Sequence, residues 1–543
     1  MGETNFKPNL IVSAVENSLN QPSKIDEVLT VSTPGGTFHV RWDEEGTASP
    51  LGQLSFFGEF IDATDLFASW VKSCPLIYTS PNAPKVIDVL GTWFLSILDG
   101  HHRYAHVARL RGDKVAPCIL DMTKIVSDES LRRALAHLAP KPSKNADEAE
   151  LAACTAQWKA TTDWMDSALS KSTREALRTS WILDVDTTVK LLYGNQEGAE
   201  VGYNPTKPGR PSHNLHTYWI GNLRMVLDVE LQPGKISAAK YSLPRLIELI
   251  KGLSPEERPS LVRGDNAFGV DGVMLELESM GQPYLFKQKQ TPNVKKLIER
   301  YWNSDEWKPA GQGFDAVKAE LKLDGWKNAR QVIILRRQHN SRVEQENATK
   351  TDQLKLNFID LDGKIRTYEY VVLTSNANYD LEAYGQLYRD RADCENGFDE
   401  LKNQWGWGGY VTQDIERCKL SARAVALVYN WWSWYTRLAH PNTRLEAITS
   451  RPLLLNGVAR LTEHAGQSRL LLTLSHGASD KIKEMVHNIR KGINYAKETA
   501  PQLAKSDRWP ALLRYIVEKI IAAKTKNLLS LPLAPPHLAI ASG

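Results

Sequence analysis

Four residues between positions 380 and 404 have the types and spacing to act together on a ligand: Tyr388, Arg391, Glu395 and Lys402. The steps are three, four and seven residues. At about 100° per residue, one helix would carry all four within an arc of roughly 60°. Leu387, Cys394, Phe398, Leu401 and Trp405 fall on the adjoining apolar face, so the polar stripe runs along the edge of the buried side. A carboxylate placed there can be half-desolvated and still reach a ligand, with two cations beside it to grip an anion. Simple ion pairs on solvated helices share these spacings, so the stripe gains weight only if the chain supplies partners for Glu395.

Two stretches supply them. Residues 182–192 alternate, with Asp184, Asp186 and Thr188 on one face and Leu183, Val185, Val189 and Leu191 on the other. Carboxylates on an apolar strand are unfavourable unless a cation or hydrogen bonds compensate them; solvent exposure of that face is the competing expectation. Residues 259–269, PSLVRGDNAFG, read as a short buried strand ending at Asp265 in a tight turn, where a turn or cap role competes. Asp186, Asp265 and Glu395 thus form a candidate triad drawn from a first strand, a later strand end and a helix, with Asp184 as the alternative first acid. Three converging carboxylates repel one another. Two Mg²⁺ ions would relieve this, because hard oxygen ligands suit Mg²⁺, and Mn²⁺ is expected to substitute. Two metals about 3.5–4 Å apart can activate a water or a 3′-hydroxyl and stabilise the leaving oxygen of a phosphodiester. Arg391 and Lys402 would grip the phosphates, and Tyr388 would hydrogen-bond a phosphate or pack on a sugar.

The rest of the chain must position these groups. Its 543 residues suffice for several domains. A net charge of +4 leaves any nucleic-acid contact to local patches. The five Cys include no C-x-x-C pair, which argues against a zinc ribbon or a disulfide framework and suits a reducing compartment. The N-terminus lacks a long apolar run, so no signal peptide is expected, and no stretch is apolar enough to span a bilayer. A cytoplasmic location follows as the expectation.

Organisation is read as follows. Residues 1–145 form a mostly helical region expected to bind DNA, and 146–288 the first part of a catalytic core. Residues 289–378 form an inserted, mainly β subdomain. Residues 379–440 complete the core with the acidic helix, and 441–543 form a helical region suited to dimerisation. Within 146–288 the pattern is three strands, helix, strand, helix, strand, the order of an RNase H-like mixed sheet in an α/β protein. From 284 to 342 thirteen Lys and Arg face six Asp and Glu, a local excess that could meet phosphates. Trp302, Trp307 and Trp326 lie in the same stretch, where core packing competes with stacking on an unpaired base. A tail at 532–536 is Pro-rich and expected to be loosely attached.

The spacing Tyr-x2-Arg-x3-Glu-x6-Lys resembles the Y-R-E-K signature of bacterial insertion-sequence transposases with a DDE active site. LDVDTT, the segment YGNQEGAEVGYNPTKPGRPSH and LVRGDNAFG resemble the first-Asp and second-Asp regions of the same group, so the likeness spans about 180–440. The resemblance implies an RNase H-like catalytic domain with a β insertion before the acidic helix. It implies a homodimer in a synaptic complex, Mg²⁺-dependent excision at terminal inverted repeats, and joining of 3′ ends to double-stranded target DNA. Some relatives form a DNA hairpin and hold a flipped base against a Trp of the insertion. By position, Asp186, Asp265 and Glu395 match the metal-binding acids, and Tyr388, Arg391 and Lys402 the DNA-contacting residues. Asp-x-Thr favours Asp186 over Asp184. Trp326 is the candidate for the base-holding position, and Arg210, in the loop rich in Gly, Pro and Lys, is a further candidate DNA contact. Two other readings compete: a catalytically silent or domesticated DNA-binding protein derived from such a transposase, and a hydrolase with paired carboxylates such as a glycosidase. The latter requires neither Arg391 and Lys402 nor a basic insertion.

Overall fold

The computed structural model of the chain describes residues 28–43, 46–204, 207–236, 238–338, 355–359, 365–499 and 501–527; the tail at 532–536 lies outside them. In chain order the strands are β1 (Leu29–Thr33), β2 (Gly36–Val40), β3 (Ala48–Ser49), β4 (Ile182–Leu191), β5 (Ser212–Ile220), β6 (Met225–Pro233), β7 (Leu261–Gly264) and β8 (Tyr284–Lys287). They continue with β9 (Lys308–Pro309), β10 (Asp315–Leu321), β11 (Arg330–Gln338), β12 (Lys355–Ile359), β13 (Ile365–Ser375), β14 (Val458–His464) and β15 (Gln467–Thr473).

Strands β4, β5 and β6 are long alternating runs joined as antiparallel neighbours, and β7 and β8 add to β4 in parallel. The sheet order is β6-β5-β4-β7-β8-β13-β11-β10-β9, with β12 paired to β13. Crossovers run through the helices Ala238–Lys251 and Asp271–Ser279, as parallel neighbours require. The strands of the expected insertion do not form a separate body. Strand β13 pairs antiparallel with β8 (Leu373 opposite Lys287), so β9–β13 extend the same sheet. A strand edge such as that of β8 exposes unpaired N–H and C=O groups, and the returning β13 satisfies them.

Helices Leu54–Ala63, Leu66–Lys72, Val86–Leu98, Asp128–Leu138 and Glu148–Thr173 make the N-terminal helical region. Ser127 caps the fourth, its hydroxyl accepting from the Ser130 N–H at 3.2 Å. The apolar helix Ile415–Ala439 runs through the centre, with Trp431, Trp432 and Trp434 fully buried. Asn430 on this helix exchanges two hydrogen bonds with the backbone of Val226, at 3.0 and 2.7 Å, closing the outer edge of β6. No helix among the described residues is long and apolar enough to cross a membrane.

The C-terminal region is not wholly helical. Strands β14 and β15 form a hairpin that β3 extends to three strands. Its two-residue loop, Ala465–Gly466, has both φ values positive (49° and 73°), the geometry that matches strand twist. The alternation in VARLTEH was the available signal, and an Ala at the first loop position, where Asn or Asp is usual, hid the turn.

Candidate active site

Strand β4 sets the site. Its second, fourth, sixth and eighth residues past Ile182 share one face, and all are buried: Asp184, Asp186, Thr188 and Lys190. That face is not open to solvent, because each side chain meets a partner. Asp184 accepts two hydrogen bonds from Arg263 of β7, at 2.6 and 2.7 Å, while the same guanidinium donates to the Leu387 carbonyl at 2.6 Å. Gly221 permits this pair, since a Cβ there would lie 2.3 Å from Asp184 Oδ2. Asp186 Oδ2 accepts from Arg391 Nη2 at 2.7 Å and its Oδ1 from the Thr187 N–H at 2.8 Å. Thr188 Oγ1 accepts from Lys402 Nζ at 2.6 Å, and Lys190 Nζ donates to the Gly409 carbonyl at 2.5 Å. One strand face is therefore laddered onto residues 387–409.

The polar stripe of 380–404 spans two helices, Leu381–Arg389 and Ala392–Gln404, with a turn at Asp390–Arg391. The turn correction matters locally: Arg391 is the N-cap of the second helix and its side chain folds across β4. Gly397 lets that helix approach the sheet, because a Cβ there would lie 2.5 Å from the Trp219 ring of β5.

Register brings the two aspartates level. Val185 of β4 stands opposite Gly264 of β7 in the parallel pair, so Asp186 and Asp265 follow side by side. Asp265 Oδ1 accepts from the Ala267 N–H at 2.9 Å, which fixes its turn. Arg391 lies between the acids, bonded to Asp186 and 3.8 Å from Glu395 Oε1. Burial pushes the Asp186 carboxyl up to about 6; Arg391 pulls it down, and the charges of Asp265 and Glu395 push it up again. Burial pulls Arg391 down, but Asp186, Asp265 and Glu395 outweigh it and hold the guanidinium above its ordinary value. The three carboxylates thus share one field. Among the described residues, no three His, Cys, Asp or Glu side chains stand close enough to enclose a metal ion. The Glu395 side chain is 66% exposed and turned outward.

A small open cleft beside this cluster is lined by Arg263, Lys287, Tyr388 and Arg391, among others. Lys287, the last residue of β8, is half-buried and has no carboxylate within 4 Å among the described residues. Burial lowers its pKa, Arg391 adds to the lowering, and Glu369, Asp265 and Glu395 oppose it. Neither Lys287 nor Arg263 was singled out in the sequence. Arg263 carried a signal: one cation in the apolar strand LVRG requires a buried anion, and Asp184 in the apolar strand LDV was the unmatched one.

Tyr388 packs edge-on to Phe314 at 5.9 Å and lines the cleft. Lys402 is half-buried, its pKa lowered by burial. Trp326 is 8% exposed and carries the Arg330 guanidinium on its ring at 5.2 Å; it is a core residue, with no face presented to a base. Arg210 lies 4.9 Å over the ring of Tyr193, in the loop between β4 and β5. The basic excess of 284–342 is smaller than its count, because Arg330 pairs with Asp271 and Glu278 and Arg337 with Glu369, all outside that window.

Asp186 on β4 and Asp265, one residue past the paired end of β7, share one cluster of charge with Arg391 and Glu395, and Lys287 lines the adjoining cleft. The family model for the transposase DDE domain, group 1, matches residues 85–493, about three quarters of the chain. The chain belongs to that family of transposases. No curated protein matches it. Among solved structures, a cryo-EM piggyBac transposase synaptic complex with hairpin DNA matches over 89% of this chain and 87% of that chain, at 10% identity and a TM-score of 0.36; a likeness at that level carries no argument about site or partners.

Proposed function

We propose that the chain is the transposase of an insertion sequence, which binds terminal inverted repeats, cuts double-stranded DNA and joins the freed 3′ ends to a target. Acting as a homodimer in the synaptic complex is part of this reading. The observation that supports it is the Arg391 guanidinium bonded to Asp186 and 3.8 Å from Glu395, with Asp265 just past the end of β7, the parallel neighbour of β4. The order β6-β5-β4-β7-β8, with β4, β7 and β8 parallel, supports an RNase H-like core.

The donor set is all oxygen and fits Mg²⁺ in kind; Asp186, Asp265 and Glu395 are the residues that would hold it. Bound metal supplies the positive charge that activates a water or 3′-hydroxyl and stabilises the leaving oxygen. The chain's own residues do the rest. Arg391, now satisfied by Asp186, exchanges a carboxylate for a DNA phosphate. Glu395, on the exposed side of its helix, turns inward by a side-chain rotation. Lys287 meets a phosphate from the far wall of the cleft, and Lys402 with Thr188 holds the helix to β4 along the substrate path.

Glu395→Gln is expected to abolish strand cleavage of a duplex carrying the terminal repeats while retaining repeat binding in a gel-shift assay. Normal cleavage by that variant rejects the triad. The silent DNA-binding reading has one observation on its side, the Arg391 guanidinium among the acids. A native chain that binds the repeats but cuts nothing in Mg²⁺ or Mn²⁺ would establish it.

A further inference from the structure

The loop that leaves β4 beyond the acid cluster carries two cations that meet no carboxylate among the described residues. Lys207-Pro208-Gly209-Arg210 is a β-turn: the Arg210 N–H donates to the Lys207 carbonyl at 3.2 Å, and Gly209 has φ +78°. Pro at the second position and a positive-φ Gly at the third are the type II pattern. Such a turn places its first and fourth residues within about 7 Å of each other. Both side chains reach one ring. Arg210 lies 4.9 Å and Lys207 5.6 Å from the centroid of Tyr193, and Lys207 Nζ donates to the Tyr193 hydroxyl at 3.2 Å. Asn204, itself buried, fastens the turn by accepting from the Lys207 N–H at 3.0 Å.

Nothing in the fold requires this arrangement. Tyr193 is 70% and nearby Tyr203 79% exposed, so neither ring is held there by packing. Two like charges on one ring repel, and among the described residues neither Lys207 nor Arg210 forms an ion pair with a carboxylate. The loop and the end of β4 are braced on the connection that follows the acid-bearing helix: the Glu197 N–H donates to the Gln413 carbonyl at 3.0 Å and Lys190 of β4 to that of Gly409. At about 3.3 Å per residue, the seven residues from Asp186 to Tyr193 span at most about 23 Å along the strand direction. That is roughly seven base pairs of duplex at about 3.4 Å each.

We propose that the Lys207–Arg210 turn and Tyr193 form a second phosphate-binding site, which takes the backbone of duplex DNA lying beyond the cut. The proposal rests on the DNA-cutting reading of the acid cluster and adds a contact that reading does not need. A backbone phosphate between the two cations relieves their repulsion, and the Tyr193 hydroxyl supplies a third hydrogen bond. The site positions DNA and reads no sequence.

The test is the salt dependence of binding by the full chain, followed by fluorescence anisotropy on a labelled 30-base-pair duplex of arbitrary sequence. Each phosphate contact contributes about 0.9 to the slope of log affinity against log salt. The double variant Lys207→Ala, Arg210→Ala removes the one phosphate contact and is expected to flatten that slope by about 0.9, and the charge-keeping Lys207→Arg, Arg210→Lys to restore it. Tyr193→Ala is expected to weaken binding several-fold more than Tyr193→Phe. An unchanged slope in the double alanine variant, with the native chain still binding, overturns the second site alone. A native chain that binds the duplex at no salt concentration overturns the underlying DNA reading as well. Circular dichroism and the thermal midpoint verify that the variants are folded, and the exposed position of both side chains makes a folding defect avoidable.

Discussion

Asp184 and Asp186 leave the same face of the same strand two residues apart, and each ends on an arginine, yet the two pairs differ in kind. Asp184 and Arg263 are 2% and 3% exposed, joined by two parallel hydrogen bonds, with the third arginine donor on a backbone carbonyl. Every strong group there is satisfied inside the protein. Asp186 and Arg391 are 12% and 18% exposed and joined by one short bond, with two more carboxylates in range. The first pair is closed and holds β4 to β7 and to the Leu381–Arg389 helix. The second is a surplus of negative charge around one guanidinium, which a cation can enter. On the proposed reading the chemistry falls to this second pair, because a group already fully bonded has nothing to exchange.

The sharpest way to break this contrast is to neutralise the two aspartates separately. On the proposed reading, Asp186→Asn lowers strand cleavage by about 1000-fold or more, which is about 4 kcal/mol at 1.36 kcal/mol per tenfold. Its urea midpoint holds or rises at neutral pH, because a buried carboxylate with a raised pKa destabilises the fold when ionised. Asp184→Ala or Arg263→Ala has the opposite profile: removing one partner of a buried pair costs about 3–5 kcal/mol, read as a lower denaturation midpoint. Equal stability losses at both positions would erase the distinction.

A pH titration sharpens it further. The folded-state pKa of Asp186 is raised, to about 6 against an ordinary 3.8. Its contribution to stability is therefore fully present below the unfolded value near 3.8 and is lost as pH rises through about 6. Between pH 7 and pH 5 the native chain should gain on the order of 1 kcal/mol relative to Asp186→Asn, measured by urea denaturation at each pH. A difference that stays flat across that window would show that Arg391 cancels the burial. The smallest expected effect lies across the cleft. Lys287→Ala should flatten the salt slope of duplex binding by about 0.9 and leave the thermal midpoint unchanged or slightly higher, since the lysine is half-buried without an ion-pair partner. A fall in stability would mean that Lys287 is a structural residue.

Much of this was legible in the residues. The alternation of 182–192 located β4 and the shared face of its acids, and the run ending at Asp265 located β7. Spacing along 380–404 placed Arg391 and Glu395 near each other, though the turn at Asp390–Arg391 was not visible because Asp and Arg both tolerate helix interiors. Sheet continuity was hidden for a different reason. Nothing local in residues 355–375 specifies that β13 returns to β8, some 85 residues earlier, so the strands after 308 read as a separate subdomain when they are the far half of one sheet. The hairpin β14–β15 was missed because its loop lacks the usual Asn-Gly, and for Trp326 the sequence left core packing and base stacking as alternatives, of which the buried ring under Arg330 matches core packing.

What the sequence determined by itself was the inventory and its local placement: which strand face bears carboxylates, which helical stripe bears cations, and a signature spacing that marks the transposase family. Local periodicity suffices for these, since 2.0 and 3.6 residues per repeat fix the facing of every side chain. It does not separate Asp184 from Asp186, which share a face and a type; only the Asp-x-Thr pattern of the resemblance favours Asp186. Which partner each aspartate meets depends on Arg263, 79 residues downstream of Asp184, and Arg391, 205 residues downstream of Asp186. Only the parallel docking of β7 on β4 and the close approach of Gly397 to Trp219 bring those two arginines to different aspartates, closing one pair and leaving the other open.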